Sequence, residues 1–158
     1  MDNMDSIEFF VHGIPAPGGS KTAFRHAKTG RIIVMDACKR NKPWRDTVAS
    51  FAIEHAPDEL LSCPLSLDVT FIMPRPKYHY RTGKYSGMLK DSAPHWHTVK
   101  PDATKLLRAL EDALTGIMWT DDSIIVKQYV NKTYAYPHDT TKDAWTKPGA
   151  YVKIGVVS

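Results

Sequence analysis

The sequence predicts an α+β fold of two layers, in which two main helices pack against a mixed β-sheet. Three observations carry this expectation. Stretches of strand composition and of helical period succeed one another in the order strand, strand, helix, strand, helix, strand, strand, a pattern suited to helices laid on a sheet. The 158 residues fit one domain, and 42% hydrophobic residues suffice for one core. No internal repeat and no low-complexity segment breaks the chain, so residues 1–158 are read as a single domain with a basic and aromatic loop at about 74–99.

Ile7 to Val11 is short, apolar and rich in aromatic and β-branched residues, which reads as a first strand. It runs into Gly13-Ile14-Pro15-Ala16-Pro17-Gly18-Gly19-Ser20-Lys21, where glycine and proline mark a loop. Lys21, Arg25, His26, Lys28 and Arg31 then gather within about a dozen positions and suit phosphate contact. Each taken singly is equally a solvated loop residue. Arg31 to Met35 reads as a short strand after the turn at Thr29-Gly30.

Pro43 to His55 has the period of a helix, with Trp44, Val48, Phe51 and Ala52 on one face. Pro43 belongs in a first turn, and Pro57 ends the pattern. Trp44 and Phe51 are expected in the core. Leu65 to Met73 places Leu65, Leu67, Val69 and Phe71 on one side and reads as a central strand.

From Pro74 to Val99 no sustained period appears. Arg75, Lys77, Arg81, Lys84 and Lys90 stand against the single acid Asp91, interleaved with Tyr78, Tyr80, Tyr85 and Trp96. Cations can follow phosphates while rings stack on unpaired bases, each stack worth ~1 to 3 kcal/mol. The segment is expected to be a mobile loop that touches nucleic acid. His95-Trp96-His97 could set two imidazoles on one side of a strand, but no further ligand has zinc-site spacing.

In Lys100 to Ile125, Leu106, Leu107, Leu110, Ala113 and Leu114 recur at spacings of three and four, the buried face of a helix. Pro101 and Asp102 signal its start and Gly116 its end. Asp102 thus falls at the N-cap, where a carboxylate is favoured on structural grounds alone. Asp121-Asp122 follows the helix and, by spacing alone, is either a turn or a pair of ligands. Ile124 to Tyr134 alternates as a strand that starts at this pair, Pro137 to Gly149 is a polar loop, and Ala150 to Val157 is a final strand.

The net charge of +4 and pI near 9.0 permit a nucleic-acid partner. Cys38 and Cys63 are too few for a disulfide framework and are expected as reduced, buried thiols. No apolar stretch approaches membrane-spanning length, so a soluble, cytoplasmic protein is expected.

The run Pro101-Asp102-Ala103-Thr104-Lys105-Leu106-Leu107-Arg108, then Asp112-Ala113-Leu114-Thr115, then Trp119-Thr120-Asp121-Asp122 resembles the core signature of the RusA-type Holliday junction resolvases. These are phage-associated endonucleases whose motif reads approximately PD-x-D-N-L-x-K, DAL and W-x-DD, with the same internal spacings. The resemblance implies a two-layer domain acting as a symmetric homodimer in a bacterial host. The substrate would be a four-way DNA junction or other branched DNA, resolved by paired nicks in recombination and repair. A two-fold protein would present one site to each of two strands of a near two-fold junction. The cofactor would be Mg2+, or Mn2+. Carried over by position, the metal ligands fall on Asp102, Thr104 and Asp122, and the catalytic cation on Arg108. Asp121 is a further candidate ligand. The DNA-contacting residues are expected among Lys21, Arg25, Arg31, Arg75, Lys77, Arg81, Lys84, Lys100 and Lys105.

Thr104 departs from the pattern, since a hydroxyl is a poor ligand for a hard cation. The site either holds metal with fewer charges, recruits Asp121, Asp112 or Glu111, or has become a catalytically impaired binder of branched DNA. Glu111 lies seven positions from Thr104 and three from Arg108, so all three can share one helical face, or Glu111 can simply pair with Arg108.

Overall fold

The computed structural model describes residues 6–19, 21–137 and 145–158. Strand β1 (Ile7–His12) leads through the Pro/Gly loop to a hairpin of β2 (Lys21–Arg25) and β3 (Ile32–Asp36). Helix α1 (Asn41–Ile53) and strand β4 (Leu65–Met73) follow. Helix α2 (Ala103–Leu114), strand β5 (Ile125–Tyr134) and strand β6 (Gly149–Val156) complete the fold. The main sheet has the order β1-β6-β4-β5, in which β4 and β5 are parallel and the other pairs antiparallel. The parallel pair needs a crossover, and the chain between its strands includes α2. The predicted two-layer α+β architecture with a mixed sheet and two helices is what the chain adopts.

The core lies between helices and sheet. Val48 and Ala52 of α1, Leu106, Ala109, Leu110 and Leu114 of α2, and Leu65, Leu67, Val69 and Phe71 of β4 are all fully buried. Alternation in β4 puts every second residue into this core, as expected of a central strand. Beyond α2, Gly116 takes a φ of +86°, a conformation that suits glycine, and its N–H donates to the Trp119 carbonyl at 2.8 Å. Trp119 is fully buried, its indole N–H donating to Thr115 Oγ1 at 3.0 Å. This tight return fixes where the chain emerges at Asp121 and Asp122.

Two expectations are corrected. Residues 21–25 form β2, paired with β3 from Lys21↔Asp36 to Arg25↔Ile32, where a basic loop was read. Their alternation carries too little apolar character to register, because the described side chains of this hairpin are largely exposed. Residues 74–99 are largely irregular. Two 3₁₀ turns (Lys77–His79 and Gly83–Tyr85) and bridges Tyr80↔Leu89 and Trp96↔Thr133 tie the segment to itself and to β5. Cys38 and Cys63 are free thiols but only half-buried. Of the polar loop read at Pro137 to Gly149, residues 138–144 lie outside the described residues, as does Ser20 of the Pro/Gly loop.

Candidate metal and nucleic-acid site

Asp102 is the N-cap residue of α2, with extended backbone (φ −69°, ψ 144°), yet its side chain makes no capping hydrogen bond. The carboxylate is exposed. Asp121 behaves in the opposite way. Its Oδ1 accepts the Ser123 N–H at 2.8 Å, opening the 3₁₀ turn Asp122–Ile124, and these hydrogen bonds hold its carboxyl below the usual range. Asp121 thus caps a turn whose first residue is Asp122, and both side chains are exposed just ahead of β5.

Glu111 is half-buried on α2 where the helix faces β5, and its Oε1 accepts a hydrogen bond from Gln128 Nε2. Burial first, then the negative field of Asp122, pushes its carboxyl above the ordinary 4.5. The Gln128 bond and Arg108 act in the opposite direction. Glu111 thus shares its surroundings with Asp122 as well as with Arg108. Thr104 is exposed in the first turn of the helix, and Asp112 is exposed too. Arg108 lies over Gly19, where a Cβ would stand 2.7 Å from its Cδ, so the glycine leaves room for the arginine stem. Among the described residues no three His, Cys, Asp or Glu side chains are gathered closely enough to hold a metal ion. Helical rise explains why: Asp102 and Glu111 are nine residues apart, about 13 Å along the axis.

A residue outside the sequence-based expectation completes this face. Lys132 Nζ donates to the carbonyls of Val99 and Pro101 at 2.8 and 2.7 Å, pinning the segment that enters α2 through the cis Lys100-Pro101 bond. Burial lowers its pKa, and the charge of Asp102 raises it in part. In sequence Lys132 is one polar position in an alternating strand. Only the parallel register of β5 and the path of residues 99–101 reveal its task. Lys132→Met is expected to lower the melting temperature by freeing the Val99 and Pro101 carbonyls, with Lys132→Arg recovering part of the loss; thermal melts measure this. His97 is buried behind this lysine, its backbone N–H donating to the Lys132 carbonyl at 3.2 Å. Burial and then Lys132 hold its imidazole below the ordinary range. His95 instead meets the Tyr136 hydroxyl, so the two imidazoles have separate surroundings.

The other basic candidates fall into three groups. Lys21 and Arg25 lie on β2, with Arg31 at the foot of β3. Lys77, Arg81 and Lys84 belong to the tied segment, where Lys77, Tyr78, Tyr80 and Arg81 line a groove of about 720 Å³. Arg75 is committed to the scaffold: its Nε donates to the Ala135 carbonyl at 2.9 Å and an Nη to the Pro94 carbonyl at 2.8 Å, with the guanidinium over the Tyr134 ring. That network ties the segment to the residues that follow β5. Lys100 and Lys105 flank Asp102 and are exposed. No helix among the described residues is long and apolar enough to cross a membrane.

Two comparisons bear on this face. The family model described as Endodeoxyribonuclease RusA matches residues 14–154, which take in every side chain discussed above. Uncharacterized protein YqaN of Bacillus subtilis (strain 168) is 31% identical over 138 residues, spanning 84% of this chain and 90% of that protein.

Proposed function

Because this chain belongs to the RusA endodeoxyribonuclease family, we propose that it is a Mg2+-dependent endonuclease that resolves four-way and other branched DNA by paired nicks, acting as a homodimer. The observation that carries the reading is the Asp102 carboxylate, which occupies a capping position without capping and stands on one helix with Arg108 and Glu111.

The donor set suits a hard cation. Magnesium is commonly held by one or two carboxylates and completed by water and substrate phosphate, so it does not require three gathered acids beforehand. Asp102 and Asp122 would hold it, with Glu111 as a further carboxylate beside Asp122. When bound, the ion supplies neutralisation of phosphate charge and a lowered pKa for water. Arg108 places a permanent positive charge where negative charge builds on the phosphate oxygens. Lys132 keeps the Asp102 segment fixed through its two carbonyl contacts. Basic side chains on the β2–β3 hairpin, on residues 77–84 and at Lys100 and Lys105 supply affinity, which falls with rising salt.

A second reading is a branched-DNA-binding protein without catalysis. It is favoured by Thr104 and by the lack, among the described residues, of a gathered set of three acids. Cleavage of a labelled four-way junction beside matched linear duplex, in Mg2+ or Mn2+, separates the two. Paired nicks confined to the junction and lost in Asp122→Asn are expected. Tight junction binding with no cut in either metal would establish the binding protein instead, and absence of both would remove the junction as substrate.

A further inference from the structure

A cleft of about 340 Å³ opens directly beside Asp102, lined among others by Pro17, Cys38, Arg40, Lys100 and Lys105. It joins three parts of the chain that are remote in sequence: the Pro/Gly loop, the residues leading into α1, and the entry to α2. Their backbones are fixed to one another. The Gly18 N–H donates to the Lys105 carbonyl at 2.9 Å, Asn41 Nδ2 to the Pro17 carbonyl at 2.8 Å, and the Asn41 N–H to the Cys38 carbonyl at 3.1 Å. Asn41 is almost wholly buried, so this brace lies beneath the cleft. A Cβ on Gly18 would come within 3.0 Å of the Asn41 amide nitrogen and 3.2 Å of Ala109, so these walls meet closely at a glycine.

The walls are fixed, but the charges they carry are free. Arg40, Lys100 and Lys105 are exposed, and among the described residues none of their side chains makes an ion pair or a hydrogen bond. Three cations facing one carboxylate leave a local excess of positive charge in a concave surface, which focuses the field on an anion. Among the described residues no aromatic ring lines the cleft, so base stacking is not its chemistry.

We propose that this cleft binds the backbone phosphate next to the scissile one on the DNA strand being cut, with Arg40 and Lys105 as its principal contacts. The inference rests on the nuclease reading and adds to it a subsite and a residue, Arg40, that the sequence did not single out. Its role is to set the path of the strand across Asp102, so that the reacting phosphate is presented to the carboxylates by a neighbour already held.

The test uses affinity and footprinting, not turnover. Binding of a labelled four-way junction is measured in Ca2+ over a range of salt for wild type, Arg40→Ala and Arg40→Lys. Alkylation of Cys38 is followed in the same complexes, with Cys63, which lies in a separate cleft with Pro57 and Leu61, as the internal control. Arg40→Ala is expected to weaken binding about fivefold and to reduce the slope of log affinity against log salt by about one, and Arg40→Lys to restore that slope. Bound junction is expected to slow Cys38 alkylation at least about fivefold while Cys63 reacts at its free rate. A salt slope unchanged in Arg40→Ala, together with Cys38 alkylated equally fast in free and bound protein, would overturn the subsite and leave the nuclease reading standing. Wild type that binds no junction would overturn both.

Discussion

Replacing Asp102 by asparagine is expected to slow junction cleavage about a thousandfold, ~4 kcal/mol of transition-state stabilisation, while junction affinity and melting temperature stay close to wild type. The separation of effects follows from the cap. Asparagine is as good an N-cap as aspartate, and in the native protein this side chain makes no capping hydrogen bond in any case. The amide keeps the shape of the carboxylate but discards the charge that a hard cation needs. Most of the DNA affinity comes from cations elsewhere, so binding has little reason to change. Single-turnover cleavage, equilibrium binding in Ca2+ and a thermal melt together decide the matter. Loss of stability in parallel with activity would mean that Asp102 is a structural cap, and undiminished cleavage would remove it from the metal site.

Glu111→Gln is expected to lower cleavage about ten- to a hundredfold and, in metal-free protein, to raise the melting temperature at neutral pH. Both come from one cause. Burial and Asp122 hold the Glu111 carboxyl above its ordinary 4.5, so folding disfavours its charged form. Below pH 4.5 the group is protonated in folded and unfolded chains alike and no penalty exists. As pH rises from there through the folded value, the penalty appears, and it persists at neutrality. Glutamine does not ionise and still offers an oxygen to Gln128. The variant should therefore melt above wild type at neutral pH and converge with it in acid. Added Mg2+ should reverse the order by stabilising wild type more, since only its site gains the full metal interaction. Melts across pH, with and without Mg2+, check this. An unchanged order on adding metal would make Glu111 a partner of Gln128 and nothing more.

The parts of this molecule legible in the sequence are those where a single element determines the outcome. The period of Leu106, Leu107, Leu110 and Leu114, bounded by Pro101 and Gly116, placed α2, and the apolar alternation of Leu65 to Phe71 placed the central strand. Asp102 and Asp122 were singled out because a motif names positions, not contacts. What was not legible depends on pairs of elements. Hairpin β2–β3 has few buried residues, so no hydrophobic period marks its first strand. Arg75 looked like its basic neighbours, but Ala135 and Pro94, distant in sequence, claim its donors. Glu111 was read beside Arg108 on its own helix, whereas Gln128 and Asp122 reach it from beyond that helix. Lys132 and Arg40 owe their surroundings to segments about 30 and 60 residues away, which no local window contains.

The parallel pairing of β4 with β5 also governs when the acidic face can exist. Between Met73 and Ile125 lie 51 residues, and they include Asp102, Glu111 and Asp122. Bringing the two strands together closes that span at an entropic cost of about 3.5 kcal/mol before any contact repays it. Helix α2 can begin to form locally, but Gln128 and Lys132 reach Glu111 and the Pro101 carbonyl only after β5 has docked. Assembly of the acidic face thus depends on a long-range pairing as well as on local structure. A chain that has made only its local structure presents separated carboxylates, and any cutting of DNA waits on completion of the sheet.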